Sequence, residues 1–231
     1  MIEILSNLEW QPFLISFKLA FYTTLILFVF SIPFSWYLSQ SKSRLKPVLE
    51  AITALPIVLP PTVIGFYILF TLSANSPVGA FFEETFGIQL VFNFTSLIIA
   101  SCFYSLPFMV QPLQAAMQNL PKSLVEASYI CGKSKFETIL YVVLPNIKPA
   151  VITAIVTTFA HTVGEFGVVL MVGGSIPGET KVASIAIYEF VEILDYESAH
   201  IYSAIMVIMS FLVLFCVYYF NFKQKHKYEK V

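Results

Sequence analysis

EASYICGKSKFETILYVVLP occupies residues 126–145, near the middle of the chain. A segment this polar stands out in a sequence that is 58% hydrophobic and only 12% charged. Pro121, just upstream, suits a first helical turn, where its missing N–H would be unpaired anyway. KSLVEASYIC then leads to Gly132, a residue that readily takes the left-handed conformation closing a helix. Ser134 followed by Glu137 is a capping box, in which hydroxyl and carboxylate each satisfy a backbone donor at the start of a second helix. Phe136, Ile139, Leu140 and Val143 recur at helical spacing, and Leu144-Pro145 ends the element. Residues 121–145 are therefore predicted as a helical hairpin. Two roles suit it. One is an amphipathic connector on the end of a bundle or on lipid headgroups. The other is a docking element for a second protein, with small Ala127, Ser128 and Gly132 allowing close approach.

Around the hairpin, 16% aromatic content and a mean hydropathy of +0.80 exceed what a soluble core of this size hides. The chain reads as an integral membrane protein with one all-α domain. Five stretches are long and apolar enough to span: 13–38, 52–72, 94–113, 149–172 and 201–222. Lipid supplies no hydrogen bonds, so each is predicted to be a helix. The formal net charge of −1 says little about partners, and nucleic acid is not expected among them. Cys102, Cys131 and Cys216 lack metal-site or disulfide spacing and read as reduced packing residues. MIEILSNLEW has no positive n-region and no small-residue cleavage site, so no cleaved signal is expected. The roughly nine residues after Phe222 are too few to fold alone, and no regulatory module is expected there.

Cationic loops stay on the cytoplasmic side. Lys42, Arg44 and Lys46, then Lys122, Lys133, Lys135 and Lys148, then Lys223, Lys225, Lys227 and Lys230 share one side. Lys181, with Lys18 near the outer end of the first span, falls on the other side, which collects Glu3, Glu9, Glu83, Glu84, Glu179, Glu189, Glu192, Asp195 and Glu197. Five crossings then put the N-terminus outside, and the hairpin and C-terminus inside. The outer connections 73–93, with Phe81, Phe82 and Phe86, and 182–191 are predicted to lie at the interface or dip part-way in. PIVLPPTVIG at 56–65 has no counterpart in the second half, which argues against an inverted-repeat secondary transporter.

The hairpin pattern resembles the EAA loop of ABC importer permeases: Glu126-Ala127, Gly132 six residues after the Glu, and Leu144-Pro145. Ser128 stands where that loop has a second Ala. LPIVLPPTVIGF (55–66) and HTVGEFGVVLMVGGSIPGETKVASIAIYE (161–189) are similar to segments of the molybdate and tungstate permeases, with the sulfate/thiosulfate permeases next. The resemblance implies a type I importer permease in a bacterial cytoplasmic membrane. It further implies a homodimer with two cytoplasmic ATP-binding subunits and an extracytoplasmic oxyanion-binding protein. Glu126, Ala127, Ser128, Gly132, Leu144 and Pro145 would couple to the ATPase. The chain lacks a P-loop pattern, so it is expected not to be an enzyme or to carry a cofactor, with ATP and Mg on the partner.

Pro60, Pro61, Thr62, His161, Gly164, Glu165 and Gly167 are the candidate pathway or gate residues. Pro56, Pro60 and Pro61 free backbone carbonyls in the second span, which neighbouring hydroxyls such as Thr62 would re-satisfy, giving either a structural kink or a broken helix lining a cavity. Glu165 is a carboxylate inside a span, where ionisable groups are costly and functional. It does not bind a dianion, so a gate or interhelical role is expected, and His161 one turn earlier would share its face and pair with it. Gly164 and Gly167 suit close helix packing, including across a dimer axis. No Lys or Arg lies deep in a span, so anion contacts would come from Thr157, Thr158, Thr162 and helix amides, and be weak. Two rivals remain: an intramembrane enzyme using His161 and Glu165, although HTVGE is not HExxH, and an ATP-independent channel or exchanger.

Overall fold

The computed structural model describes residues 9–228, and the described residues form helices and turns without strands. Glu3 and Lys230 lie outside that range, and the side chains of Cys216, Lys223, Lys225 and Lys227 are likewise not described.

The bundle is organised by two long helices, α1 (Gln11–Gln40) and a central helix at Phe94–Gln118. With 30 residues, α1 is about 45 Å long at 1.5 Å per residue, longer than a hydrocarbon core. Its buried face alternates large apolar groups with small hydroxyls: Phe13, Ser16, Leu19, Thr23, Leu27, Ser31 and Ser35. Small residues let membrane helices approach closely, and Ser35 donates to the Val110 carbonyl of the central helix at 3.3 Å.

Between them lies the first difference from the sequence expectation. The predicted span 52–72 is two helices, α2 (Lys46–Val58) and α3 (Pro61–Leu72), which meet at 115°. Leu59 and Pro60 each precede a proline and are driven out of the helical region, with ψ of 141° and 137°. Pro56 sits inside α2 without ending it, so the paired prolines make the break. Next, α4 (Pro77–Phe86) lies in the 73–93 connection, capped by Ser76, which accepts from Gly79 N–H at 2.9 Å.

The central helix is α5 (Phe94–Gln118), started by an Asn93–Ser96 capping box. The hairpin follows as α6 (Lys122–Ile130) and α7 (Lys135–Thr138), a π-helical turn at Ile139–Val143, and a short α8 (Leu144–Asn146). The second arm thus runs past Leu144-Pro145. It then bends by 85° into α9 (Lys148–Val163). The predicted span 149–172 is also interrupted: α9 stops at Gly164, and α10 (Gly167–Gly173) follows after a three-residue break. The described residues end with α11 (Ala183–Glu192), in the 182–191 connection, and α12 (Tyr196–Tyr228). Ser16 of α1 accepts from the Ala183 amide at 2.9 Å, which ties the start of α11 to the bundle.

Among the described residues, three helices are long and apolar enough to cross a membrane, or up to five if each bent pair is one span. Leu27, Met109, Leu113, Met117, Val143, Ile147 and Ala154 form the core beside the hairpin. Ala100, Val168 and Val172 form another, covered by Ile64, Ile68, Leu69 and Tyr104. There Gly65 of α3 meets α10 so closely that a Cβ would lie 2.8 Å from Met171 Cβ and 3.2 Å from the Val168 backbone.

Replacing Gly65 by Val should force α3 off α10 and destabilise the bundle by about 1–3 kcal/mol, the range for overpacking. Thermal unfolding of the purified protein should shift to lower temperature, whereas an unchanged midpoint would show that this contact is not tight.

Candidate translocation site and helical hairpin

The two helix breaks meet. A Cβ on Gly167 would lie 3.0 Å from Pro61 Cβ and 3.6 Å from Thr62 N, so the first turns of α10 and α3 touch within one chain. Close packing at Gly167 is therefore intrachain here. Gly164 has no such neighbour, since its nearest would be its own helix's Ala160 carbonyl at 3.7 Å. Pro60, Thr62 and Gly164 are exposed around this junction.

Glu165 lies in the break, not on a continuous helix, so it does not share a face with His161. Its side chain turns inward and is 4% exposed. Ser101 of α5 donates to its Oε2 at 2.7 Å, while Oε1 has no partner among the described residues. Its backbone carbonyl accepts from Ser184 of α11 at 2.6 Å. The break is thus pinned between α5 and α11.

The expected pairing of His161 with Glu165 does not occur. The imidazole stacks on Phe108 at 4.0 Å between centroids and leans on Tyr104 at 4.8 Å. Its Nδ1 lies 3.0 Å from Ser105 Oγ, which is 2.9 Å from Thr162 Oγ1. Thr157 bonds to the carbonyls of Thr153 and Phe108 at 2.9 and 3.3 Å. Thr158 is fully buried and its hydroxyl has no partner among the described residues. Among those residues no three His, Cys, Asp or Glu side chains gather as a metal site requires. Ser101 and Ser105 were missed from the sequence. Their signal was present in SCFYS, two hydroxyls four apart on an otherwise apolar helix.

At the other end the hairpin is built stiffly. Gly132 has φ of +77°, and Lys133 N–H bonds to Ser128 O while Gly132 N–H bonds to Tyr129 O, a Schellman closure. Ser134 and Glu137 cap each other reciprocally. The Glu137 carboxyl is held below its usual range by the Ser134 amide and hydroxyl and then by Lys133. A depressed carboxyl stabilises the folded form above its ordinary range and loses that contribution as pH falls, so the cap is intact at neutral pH.

Ser128 does not face outward. It is buried, and its hydroxyl meets Thr138 Oγ1 at 2.9 Å, joining the two arms. Glu126, Ala127, Cys131 and Gly132 are exposed, so Cys131 is not a packing residue. The expected apolar stripe also divides: Val143 is buried in the bundle core, whereas Phe136 is 73% exposed. The π turn between them admits an extra residue and rotates the following face. Ile130 at 87%, Phe136 at 73% and Tyr141 at 65% leave an apolar surface on the exposed side of the hairpin.

Residues 31–226 match the family model of the binding-protein-dependent transport system inner membrane component. The molybdenum transport system permease protein ModB of Azotobacter vinelandii is 43% identical over 214 residues, covering 93% of this chain and 95% of that protein. A probable sulfate transport system permease protein, cysT, of Chlorella vulgaris is 31% identical over 207 residues, 90% of this chain and 77% of that one. Among solved structures, a bacterial ABC transporter involved in alginate import has the same fold, with a TM-score of 0.75 at 15% identity over 92% of this chain and 78% of that one. The all-α architecture, the interrupted spans and the match over most of the length agree: the chain belongs to the binding-protein-dependent inner membrane components, the multi-pass permease subunits of ABC importers.

Proposed function

We propose that this chain is the membrane subunit of an importer for molybdate, or the similarly shaped tungstate, driven by a separate ATPase. The observation that carries this reading is the 43% identity, along 93% of the chain, to a permease named for molybdenum transport. The sulfate permease relatives, at 29–31%, favour that anion less. The chain works as a homodimer with two cytoplasmic ATP-binding subunits and receives its anion from an extracytoplasmic binding protein. Its N-terminus lies outside and its hairpin inside, where the cationic connections fall. ATP and Mg belong to the partner, and this chain performs no hydrolysis itself.

The geometry supports a mechanical account. The hairpin presents Ile130, Phe136 and Tyr141 to the cytoplasm, and apolar exposure of that kind marks an interaction surface. Its doubly capped corner resists bending, so movement of a docked ATPase passes through the π turn and the 85° bend into α9. That helix leads to the break at Glu165, the point where the pathway opens and closes.

Proteoliposomes carrying the permease, its ATPase and its binding protein should take up molybdate only when ATP and the binding protein are both supplied. Uptake without either would favour a channel. Competition by sulfate stronger than by tungstate would favour the sulfate reading.

Two hairpin substitutions test the coupling. Gly132→Val places a branched side chain in the left-handed region, a strain of about 1–2 kcal/mol for an L-residue, and should open the corner. Glu126→Lys should leave the corner folded while reversing an exposed charge. Both variants should insert at normal levels and lose co-purification with the ATPase or transport-coupled hydrolysis. Normal pull-down and normal uptake in both would refute the docking role.

A further inference from the structure

The pathway has to hold a tetrahedral anion briefly, without a Lys or Arg deep in a span. The neighbourhood of His161 contains a device suited to that. α2 is attached to α5 near its cytoplasmic end, where Gln114 donates to Glu50 at 2.5 Å. α3 packs over Ala100 and Tyr104 of the same helix. Between these attachments α5 carries Phe108, on which His161 stacks. His161, Tyr104 and Phe108 are half-exposed there, and Gly164 is exposed. The nearby Glu165 carboxylate is withdrawn to Ser101 and does not confront an anion at this face.

Hydrogen counting defines what the imidazole offers. Ser105 and Thr162 each own one hydroxyl proton. Their oxygens form a chain from His161 Nδ1 to Ser105 Oγ at 3.0 Å and on to Thr162 Oγ1 at 2.9 Å, with the Thr158 carbonyl 3.0 Å beyond. In one setting Nδ1–H donates to Ser105, Ser105 to Thr162, and Thr162 to the Thr158 carbonyl. Nε2 is then a bare acceptor. In the other setting Thr162 donates to Ser105 and Ser105 donates to Nδ1. The imidazole proton is then on Nε2, and the Thr158 carbonyl keeps its helical bond from the Thr162 amide. Both settings are neutral, but the second gives up the bond from the Thr162 hydroxyl to the Thr158 carbonyl, so the first holds in the absence of an anion; the ring proton passes between Nδ1 and Nε2 by exchange with solvent at the partly exposed imidazole. A fully deprotonated oxyanion only accepts hydrogen bonds, so it selects the second.

We infer that His161 is an oxyanion contact of the pathway, its Nε2–H presented to the tetrahedral anion by the reversible Ser105–Thr162 hydroxyl relay. This rests on the importer reading and adds the residue, the atom and the hydrogen-bond polarity. A neutral donor holds the anion long enough to exclude its return yet gives no fixed charge to trap it.

Two substitutions with opposite geometry test the assignment in proteoliposomes containing the full complex. Asn places its amide where Nδ1 lies, keeping the Ser105 link and removing Nε2. Gln places its amide where Nε2 lies and gives up that link. His161→Asn should lower molybdate uptake by about tenfold or more, the loss of one hydrogen bond to a charged group, and raise the ATP consumed per anion delivered. His161→Gln should retain most of the uptake. A merely structural histidine gives the reverse order, and that order, or equal uptake in both variants, overturns the assignment. A second readout does not depend on transport. In 15N-histidine-labelled complex in nanodiscs, millimolar sodium molybdate should move the His161 Nε2 signal from the bare-nitrogen to the N–H range, with His161→Asn identifying the signal. An unmoved signal overturns the contact. Wild-type uptake of sulfate in place of molybdate would instead correct the substrate, and the same Asn and Gln comparison then applies with sulfate.

Discussion

A backbone group left unpaired in hydrocarbon costs several kcal/mol, and this constraint decides where the chain interrupts its helices. The break before α3 uses two prolines, which have no N–H to leave unpaired. The break before α10 lies under protein cover: Ser184 donates to the Glu165 carbonyl, and Gly167 rests on Pro61. Each interruption thus lies against the other, and together they form a polar seam inside an otherwise apolar bundle. Pro60, Thr62 and Gly164 are exposed along that seam.

The seam is connected to the helical hairpin by α5 before it and by α9 after it. At one end of α9 the π turn and the 85° bend leave Val143 and Ile147 packed in the bundle core. At the other end the chain leaves helical geometry at Gly164. A stiff corner, a packed pivot and a break in series transmit displacement better than a flexible loop would, because interfaces in a packed interior switch between arrangements rather than deform smoothly.

Polarity in this bundle is supplied by hydroxyls more than by charges. Ser16, Ser35, Ser101, Ser105 and Ser184 each join one element to another. A hydroxyl both donates and accepts, so where the partner does the same, as between Ser105 and Thr162, the contact reverses direction without moving heavy atoms. A buried ion pair lacks that freedom and carries a large desolvation penalty.

Much of the fold was legible in one dimension. Hydropathy runs marked the membrane segments, because a bilayer demands long apolar helices. The hairpin was readable to the level of individual hydrogen bonds, since Gly132, Ser134 and Glu137 act on backbone groups within a few residues of themselves, and local chemistry of that kind is written in local sequence. Pro60-Pro61 announced a disruption but not its size. A 115° bend depends on what each arm packs against, which the prolines do not specify. The partners of His161 and Glu165 were decided by tertiary structure alone. Helical spacing pairs residues four apart only where the helix is continuous. Here the chain leaves the helix between them, and two serines 56 and 64 residues away in sequence supply the hydrogen bonds instead.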